Sequence, residues 1–244
     1  MECLYCKSKN LVKIVLRSVR CLDCYSLTCL DSEPLYNSYD LDYHAYKFSF
    51  FRPKFWVLGR KALNCGIGLN NRYIKKSRLR VLDIGCGAGH ALWWAKNLGY
   101  NAFGLDMPWV KKPKFLEDYR YYTDINKLQK DFEKAFNIVW CWHTLEHSEK
   151  PKEFLKKIKS LVKPGGKLYL EIPESTLLLN GFEKEEIYKA ASFPEHRGIP
   201  SKVWISKMLD NGKLKLTKPK EGRMIYLQFG KPEFHLRFEW TKPI

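Results

Sequence analysis

Val81-Leu82-Asp83-Ile84-Gly85-Cys86-Gly87-Ala88-Gly89 decides how the rest of this chain is read. Val81, Leu82 and Ile84 make a short apolar, β-branched run, which predicts a buried strand. Gly85, Gly87 and Gly89 follow at alternate positions. Glycine permits a tight turn and lets N–H groups approach a ligand with no Cβ in the way. His90 to Leu98 then has helical spacing, and Gly99 stands where a helix stop is expected. Strand, glycine turn and helix form the nucleotide-binding corner of a doubly wound sheet. A lone Gly-x-Gly-x-Gly says little by itself. The following strand, Phe103-Gly104-Leu105, adds the second sign, because it ends in Asp106. That is about 20 residues past the glycines, where such sheets hold a ribose diol with a carboxylate.

Downstream the pattern repeats. Tyr119 to Asp124 reads as a short third strand, and Phe136-Asn137-Ile138-Val139-Trp140-Cys141-Trp142 as a fourth. Pro151 opens a helix with Phe154, Leu155, Ile158, Leu161 and Val162 on one face and lysines opposite. Lys163-Pro164-Gly165-Gly166 turns into a strand over Leu168–Ile172, which Pro173 ends. Residues 174–198 read as an insertion before a helix over 200–210. Met224–Phe229 and Phe234–Phe238 alternate around Gly230-Lys231-Pro232, which predicts a closing hairpin. Ligands of such sheets sit at the carboxyl ends of the strands. That places Cys141, Trp142 and His143 at the mouth of the site, followed by Thr144-Leu145-Glu146-His147.

The opening nine residues, Gly104-Leu105-Asp106, Leu145-Glu146-His147 and Lys163-Pro164-Gly165-Gly166 together resemble the class I S-adenosylmethionine (SAM) methyltransferases, over residues 75–210. The turn is Gly-x-Gly-x-Gly, not the Gly-x-Gly-x-x-Gly of dinucleotide oxidoreductases, which suits a donor with no pyrophosphate. The resemblance implies an α/β fold: a doubly wound, Rossmann-like seven-stranded sheet with an antiparallel last strand. It implies a SAM site built from Asp83, Gly85, Cys86, Gly87, Gly89, Asp106, Met107, Asp124, Ile125 and Cys141. Asp106 would accept the ribose hydroxyls and Met107 would lie against the adenine. Asp124 would accept the adenine amino group, with a backbone N–H from Ile125. Asp124 as a helix cap before Asn126 is the simpler alternative, and both can hold. Asp83 either supports the glycine loop or helps place the SAM amino group.

Methyl transfer is an in-line displacement at an activated carbon, so the protein has to align, dehydrate and, where needed, deprotonate the acceptor. His147 and His143 are the candidate bases, and His196 is a further acid–base candidate. Some quinone O-methyltransferases with a similar Glu-His pair bind a divalent ion, which makes His143, Glu146 and His147 an alternative ligand set. Simple ordering of the loop by Glu146 and His147 is the third reading.

Four of the eight cysteines stand in the first 24 residues, as Cys3-x-x-Cys6 and Cys21-x-x-Cys24. Such paired spacing reads as a closed four-thiolate structural zinc site rather than a disulfide framework. Many knuckles of this kind carry Gly after the second cysteine, where this chain has Lys7 and Tyr25. Cys29 competes with Cys24 as a fourth ligand, and four free thiols are the plain alternative. The expected organisation is a zinc-ribbon module over 1–33, an aromatic-rich linker or helical lid over 34–74, and the methyltransferase domain over 75–244. The lid follows from resemblance to zinc-ribbon methyltransferases of bacteria and archaea. Its tyrosines either stack on a substrate or pack a helix on the domain.

The net charge is +17, with each of the segments 1–30, 31–78, 79–172 and 173–244 basic and none dominant. That spread reads as a lysine-rich solvated surface before a nucleic-acid patch. There is no apolar run of bilayer length and no signal-like apolar N-terminus, so a cytoplasmic protein with no membrane span is expected. The expected partner is a small-molecule methyl acceptor, such as a sugar, lipid or quinone-like compound. An RNA acceptor and a catalytically silent binding module are the alternatives.

Overall fold

The computed structural model describes residues 1–15, 17–31, 53–67, 75–181, 183, 186–217 and 235–244. Most of the expected 34–74 segment, and the 218–234 part of the expected hairpin, lie outside the described residues.

The larger sheet has seven strands in the order β10-β11-β8-β7-β4-β5-β6. They are β4 (Arg80–Ile84), β5 (Asn101–Leu105), β6 (Tyr121–Tyr122), β7 (Phe136–Trp142), β8 (Val162–Pro173), β10 (Lys213–Thr217) and β11 (His235–Thr241). β4 pairs in parallel with both β5 and β7, and β5 with β6. This is the doubly wound α/β architecture expected from the glycine corner. Apart from Arg80, β4 is buried along its length, as a central parallel strand covered on both faces must be. Its connections are helices: α1 (Pro53–Ala62) precedes β4, α2 (His90–Asn97) follows it, and α3 (Ile125–Phe132) and α4 (Pro151–Leu161) lie farther along.

Sequence explains the close packing. A Cβ on Gly104 in β5 would stand 2.9 Å from Leu92 and 3.0 Å from the Cys86 sulfur, so glycine lets α2 and the turn approach the strand. Phe103, Phe132 and Phe136 form a ring cluster with centroids 5.0–5.6 Å apart. Gly165, at φ 70°, donates to the Lys242 carbonyl, while the Lys242 N–H donates to Gly166. That is the bond pattern of a glycine bulge in antiparallel pairing.

The smaller sheet is β1 (Leu11–Lys13), β2 (Ser18–Cys21), β3 (Leu27–Cys29) and β9 (Gly198–Ile199), antiparallel throughout. The strand expected across Leu11–Leu16 is therefore confined to its first three residues. β3 finds its outer partner in β9, and a Cβ on Gly198 would stand 2.6 Å from the Leu27 carbonyl oxygen. Leu27, Cys29, Leu178, Ile187, Ala191, Phe193 and Ile199 bury one common apolar cluster. α7 (Lys202–Met208) is capped by Ser201, whose Oγ accepts from Trp204 N and donates to the Cys24 carbonyl. Glu174 is buried and accepts from the N–H groups of Leu177, in α5 (Ser175–Gly181), and of Lys202. One carboxylate thus caps two helices, in keeping with its preference for helix N-termini. α6 (Ile187–Ala190) completes this region.

The chain divides into two compact units, built from the described parts of Met1–Ser38, His143–Lys156 and Glu171–Phe238, and of Tyr39–Trp142, Lys157–Leu170 and Glu239–Ile244.

Candidate functional site

In the second unit, strand register brings the expected cofactor residues to one sheet edge. Ile84 pairs with Leu105 and Cys141, and Leu105 with Tyr122. The residues that follow, Gly85 and Asp106, therefore leave the sheet side by side. Gly85, Gly87 and Gly89 have φ of 75°, 52° and 77°, a region that L side chains enter only at a cost. Gly85 N donates to the Leu105 carbonyl at 2.8 Å. Among the described residues, a Cβ on Gly87 would meet no atom within 4 Å, whereas on Gly89 it would run into Pro113 at 2.6 Å. Gly87 N donates to Asp106 Oδ2 at 2.6 Å, and Met107 N to Oδ1 at 2.8 Å. Glycine turn and carboxylate are thus joined directly, and the two amides fix the plane of the carboxylate.

The remaining expected residues fall as follows. Asp83 is 5% exposed, and burial, then the charge of Asp106, push its carboxyl up to about 8, against the pull of Lys61. Cys86 and Cys141 are buried. The Met107 side chain is exposed. Asp124 accepts from Asn126 N at 2.8 Å and caps α3, with Ile125 as its first residue. Lys61 had no signal in the sequence, where it is one more polar residue of α1. It is 5% exposed, with its ammonium 4.4 Å above the Trp142 ring.

In the first unit, His143 adopts φ 51° and stands between two buried carboxylates. Its Nε2 is 3.1 Å from Glu171 and its Nδ1 is 3.5 Å from Glu146. Arg237 grips Glu171 through Nε at 2.9 Å and Nη2 at 2.8 Å. Sequence reading passed over Glu171 and Arg237. The available sign was one carboxylate inside the apolar run Leu168-Tyr169-Leu170-Glu171-Ile172, which demands a partner. His147 Nδ1 lies 3.0 Å from the Glu195 carbonyl, and its ring meets that of His196 edge-on at 4.7 Å. Burial alone would raise Glu146, but His143 and the charges of His196 and His147 hold it down, to about 2. Desolvation takes His196 down to about 4, against the charge of Glu146.

The sulfurs of Cys3, Cys6, Cys21 and Cys24 all lie within 4.8 Å of one another. Cys3 and Cys24 are 3.6 Å apart, and Cys6 and Cys21 3.5 Å. Four sulfurs at about 2.3 Å from a tetrahedral ion would stand roughly 3.8 Å apart, so the cluster fits one. Each Cys-x-x-Cys closes the same turn: Lys7 N donates to the Cys3 carbonyl at 3.0 Å, and Tyr25 N to that of Cys21 at 2.9 Å. Lys7 and Tyr25 take the left-handed φ of 65° and 61° that glycine would adopt without cost. Cys29 is apart from the four, beside Asp31 at 3.9 Å.

A methyltransferase-domain family model matches residues 60–211. The chain is 30% identical over 141 residues to a tRNA U34 carboxymethyltransferase of Pseudoalteromonas atlantica, covering 54% of this chain and 40% of the relative. It is 34% identical over 100 residues to a ubiquinone biosynthesis O-methyltransferase of Pseudomonas aeruginosa, covering 37% and 43%. The chain thus spans less than half the length of either relative. A SAM-dependent methyltransferase from Archaeoglobus fulgidus superposes with TM-score 0.53 at 20% identity, covering 77% of this chain and 94% of that one.

Proposed function

The chain belongs to the methyltransferase-domain family, and from that premise we propose that it moves a methyl group from SAM to a small-molecule acceptor of the sugar, lipid or quinone-like kind. The observation that carries the donor is the bond between the Gly87 amide and Asp106 at 2.6 Å. A carboxylate so placed at the end of a second parallel strand suits a ribose diol. Gly87, where an added Cβ would meet no atom of the described residues within 4 Å, suits the close approach of a ligand. Asp83, buried beside this turn, suits the amino group of the donor. SAM supplies the activated methyl, and the protein supplies alignment and exclusion of water.

An acceptor RNA is the second reading. It is favoured by the +17 charge and by the similarity to a tRNA-modifying enzyme. Methyl-labelled SAM supplied with the protein and a cell extract separates the readings. Label in the metabolite fraction supports a small acceptor, and label in RNA transfers the proposal to RNA. An absence of label, with no heat of SAM binding at millimolar concentration, removes the donor reading altogether. With RNA as the ligand, a slope of several units in log K against log salt would mark phosphate contacts.

We propose further that Cys3, Cys6, Cys21 and Cys24 hold a structural zinc ion. Sulfur spacing, the paired knuckle turns and the small size of the sheet around them support this. A closed four-thiolate set leaves no open coordination position, so the ion's role is to hold the fold.

A further inference from the structure

A second place in the first unit has the make-up of a metal site, and it contains no cysteine. Glu146 is fully buried. Among the described residues, neither of its carboxylate oxygens has a hydrogen-bond partner. His143 Nδ1 is 3.5 Å away, beyond the range of a good hydrogen bond. Buried carboxylates are held by partners or by metals, and this one is influenced by the imidazoles of His143, His147 and His196 and by the buried Tyr5 phenol. Ligand atoms of Glu146, His147 and His196 all lie within 4.8 Å of one another.

The histidines are set as ligands are set. The Glu195 carbonyl can only accept, so the 3.0 Å contact puts a proton on His147 Nδ1, and in the neutral ring Nε2 is then the acceptor nitrogen. A backbone carbonyl behind one ring nitrogen is the usual support of a metal-binding histidine. His196 Nδ1 is buried without a partner among the described residues. Arg197 N donates to the Glu146 carbonyl at 2.8 Å, which ties the segment carrying His196 to the turn carrying Glu146 and His147. Perpendicular rings at 4.7 Å let two nitrogens converge without stacking.

We propose that Glu146, His147 and His196 bind one divalent first-row transition-metal ion. Two imidazoles and a carboxylate suit zinc, manganese or ferrous iron better than calcium or magnesium, which prefer oxygen alone. Donors at about 2.0–2.2 Å from a tetrahedral ion stand roughly 3.3–3.6 Å apart. With the ligand atoms here within 4.8 Å of one another, binding draws them together by at most about 1.5 Å. Three protein ligands leave a position open for water or for an oxygen of a small molecule. His143 is outside the set, because of these four residues only Glu146, His147 and His196 have ligand atoms that all lie within 4.8 Å of one another. This differs from the His143, Glu146 and His147 set expected on the sequence, and it stands whether or not the chain transfers methyl groups.

The test counts metal on the full-length chain. Protein purified with zinc is dialysed, then exposed in turn to saturating zinc, manganese and ferrous iron, and its bound metal is measured per chain. The expected result is one ion held by the cysteines and a second that Glu146→Gln and His196→Ala each weaken by at least 100-fold. His143→Gln is expected to keep the second ion. Retention of the first ion and an unchanged circular dichroism spectrum show that each variant is folded. A wild-type chain that binds one equivalent under all three metals overturns the site. So does a second equivalent that survives both Glu146→Gln and His196→Ala.

Discussion

Asp106 meets the glycine turn through a 2.6 Å bond from Gly87 N and its own neighbour through a 2.8 Å bond from Met107 N. Replacing it with alanine leaves the turn glycine-rich but takes away the only anionic group in that bond pair. Asp106→Ala is expected to weaken SAM binding at least about tenfold, ~1.4 kcal/mol, by calorimetry at constant salt. An unchanged affinity would detach the carboxylate from the ligand. Asp83 makes a prediction of opposite character. Its folded value of about 8 lies above the ordinary ~3.9 of an aspartate. Between those two values the folded chain holds a proton that the unfolded chain has lost, so this group makes stability fall as pH rises. Asp83→Asn removes that contribution. Denaturant unfolding at pH 5 and pH 8 is expected to show a larger loss in the wild type than in the variant. Equal losses would mean that Asp83 titrates normally.

The knuckle turns show how a local rule can be broken and still give the fold. The missing glycines after Cys6 and Cys24 are visible in the sequence, and the structure shows Lys7 and Tyr25 in the left-handed conformation at those places. An L side chain there costs about 1–2 kcal/mol. Lys7→Gly is therefore expected to stabilise the metal-loaded ribbon by about 1 kcal/mol, read as a higher chelator concentration needed to strip the ion. Tyr25→Gly is expected to gain less, because Arg20 lies 5.4 Å over the tyrosine ring and that contact is lost. A β9–β3 counterpart carries the reverse sign. The Cβ of Gly198→Ala would sit 2.6 Å from a backbone oxygen, which no side-chain rotation relieves. Loss of the Leu27–Ile199 and Thr28–Gly198 pairings is expected, at about 2 kcal/mol or more, measured by unfolding. A variant as stable as the parent would show that β9 is not a working strand. Nothing in the sequence announces β9. Two residues carry no periodicity, and their partner strand lies near the other end of the chain.

At the scale of the molecule, legibility follows the range of the interactions. β4, the glycine turn, α2 and β5 are contiguous, so their apolar runs and punctuation report the fold from within a short window, and Asp106 is found by spacing alone. The cysteine pairs are equally local. What escaped sequence reading is long-range: Lys61 beside Asp83, Glu171 with Arg237, and the way residues 174–208 complete the cysteine-bearing sheet. That completion predicts that the cysteine-bearing sheet unfolds together with β9 and α7. Trp204 donates to the Tyr5 carbonyl at 3.1 Å and packs against the Tyr5 ring at 4.9 Å, Ser175 donates to the Tyr25 carbonyl at 2.7 Å, and Ser201 reaches the Cys24 carbonyl. Each of these accepting carbonyls belongs to the loops that carry Cys3, Cys6, Cys21 and Cys24. If those cysteines hold the proposed zinc ion, its removal is expected to release those carbonyls, and with them α7 and β9. Hydrogen exchange on the full chain therefore separates two outcomes. With a zinc chelator, or in Cys6→Ser, which spares Glu146, His147 and His196, amides of β1–β3, β9 and α7 are expected to lose protection together, while those of β4, β5 and β7 keep theirs. If the amides of residues 3–29 exchange freely and those of 198–208 do not, the two segments fold separately and the shared hydrogen bonds are incidental to stability.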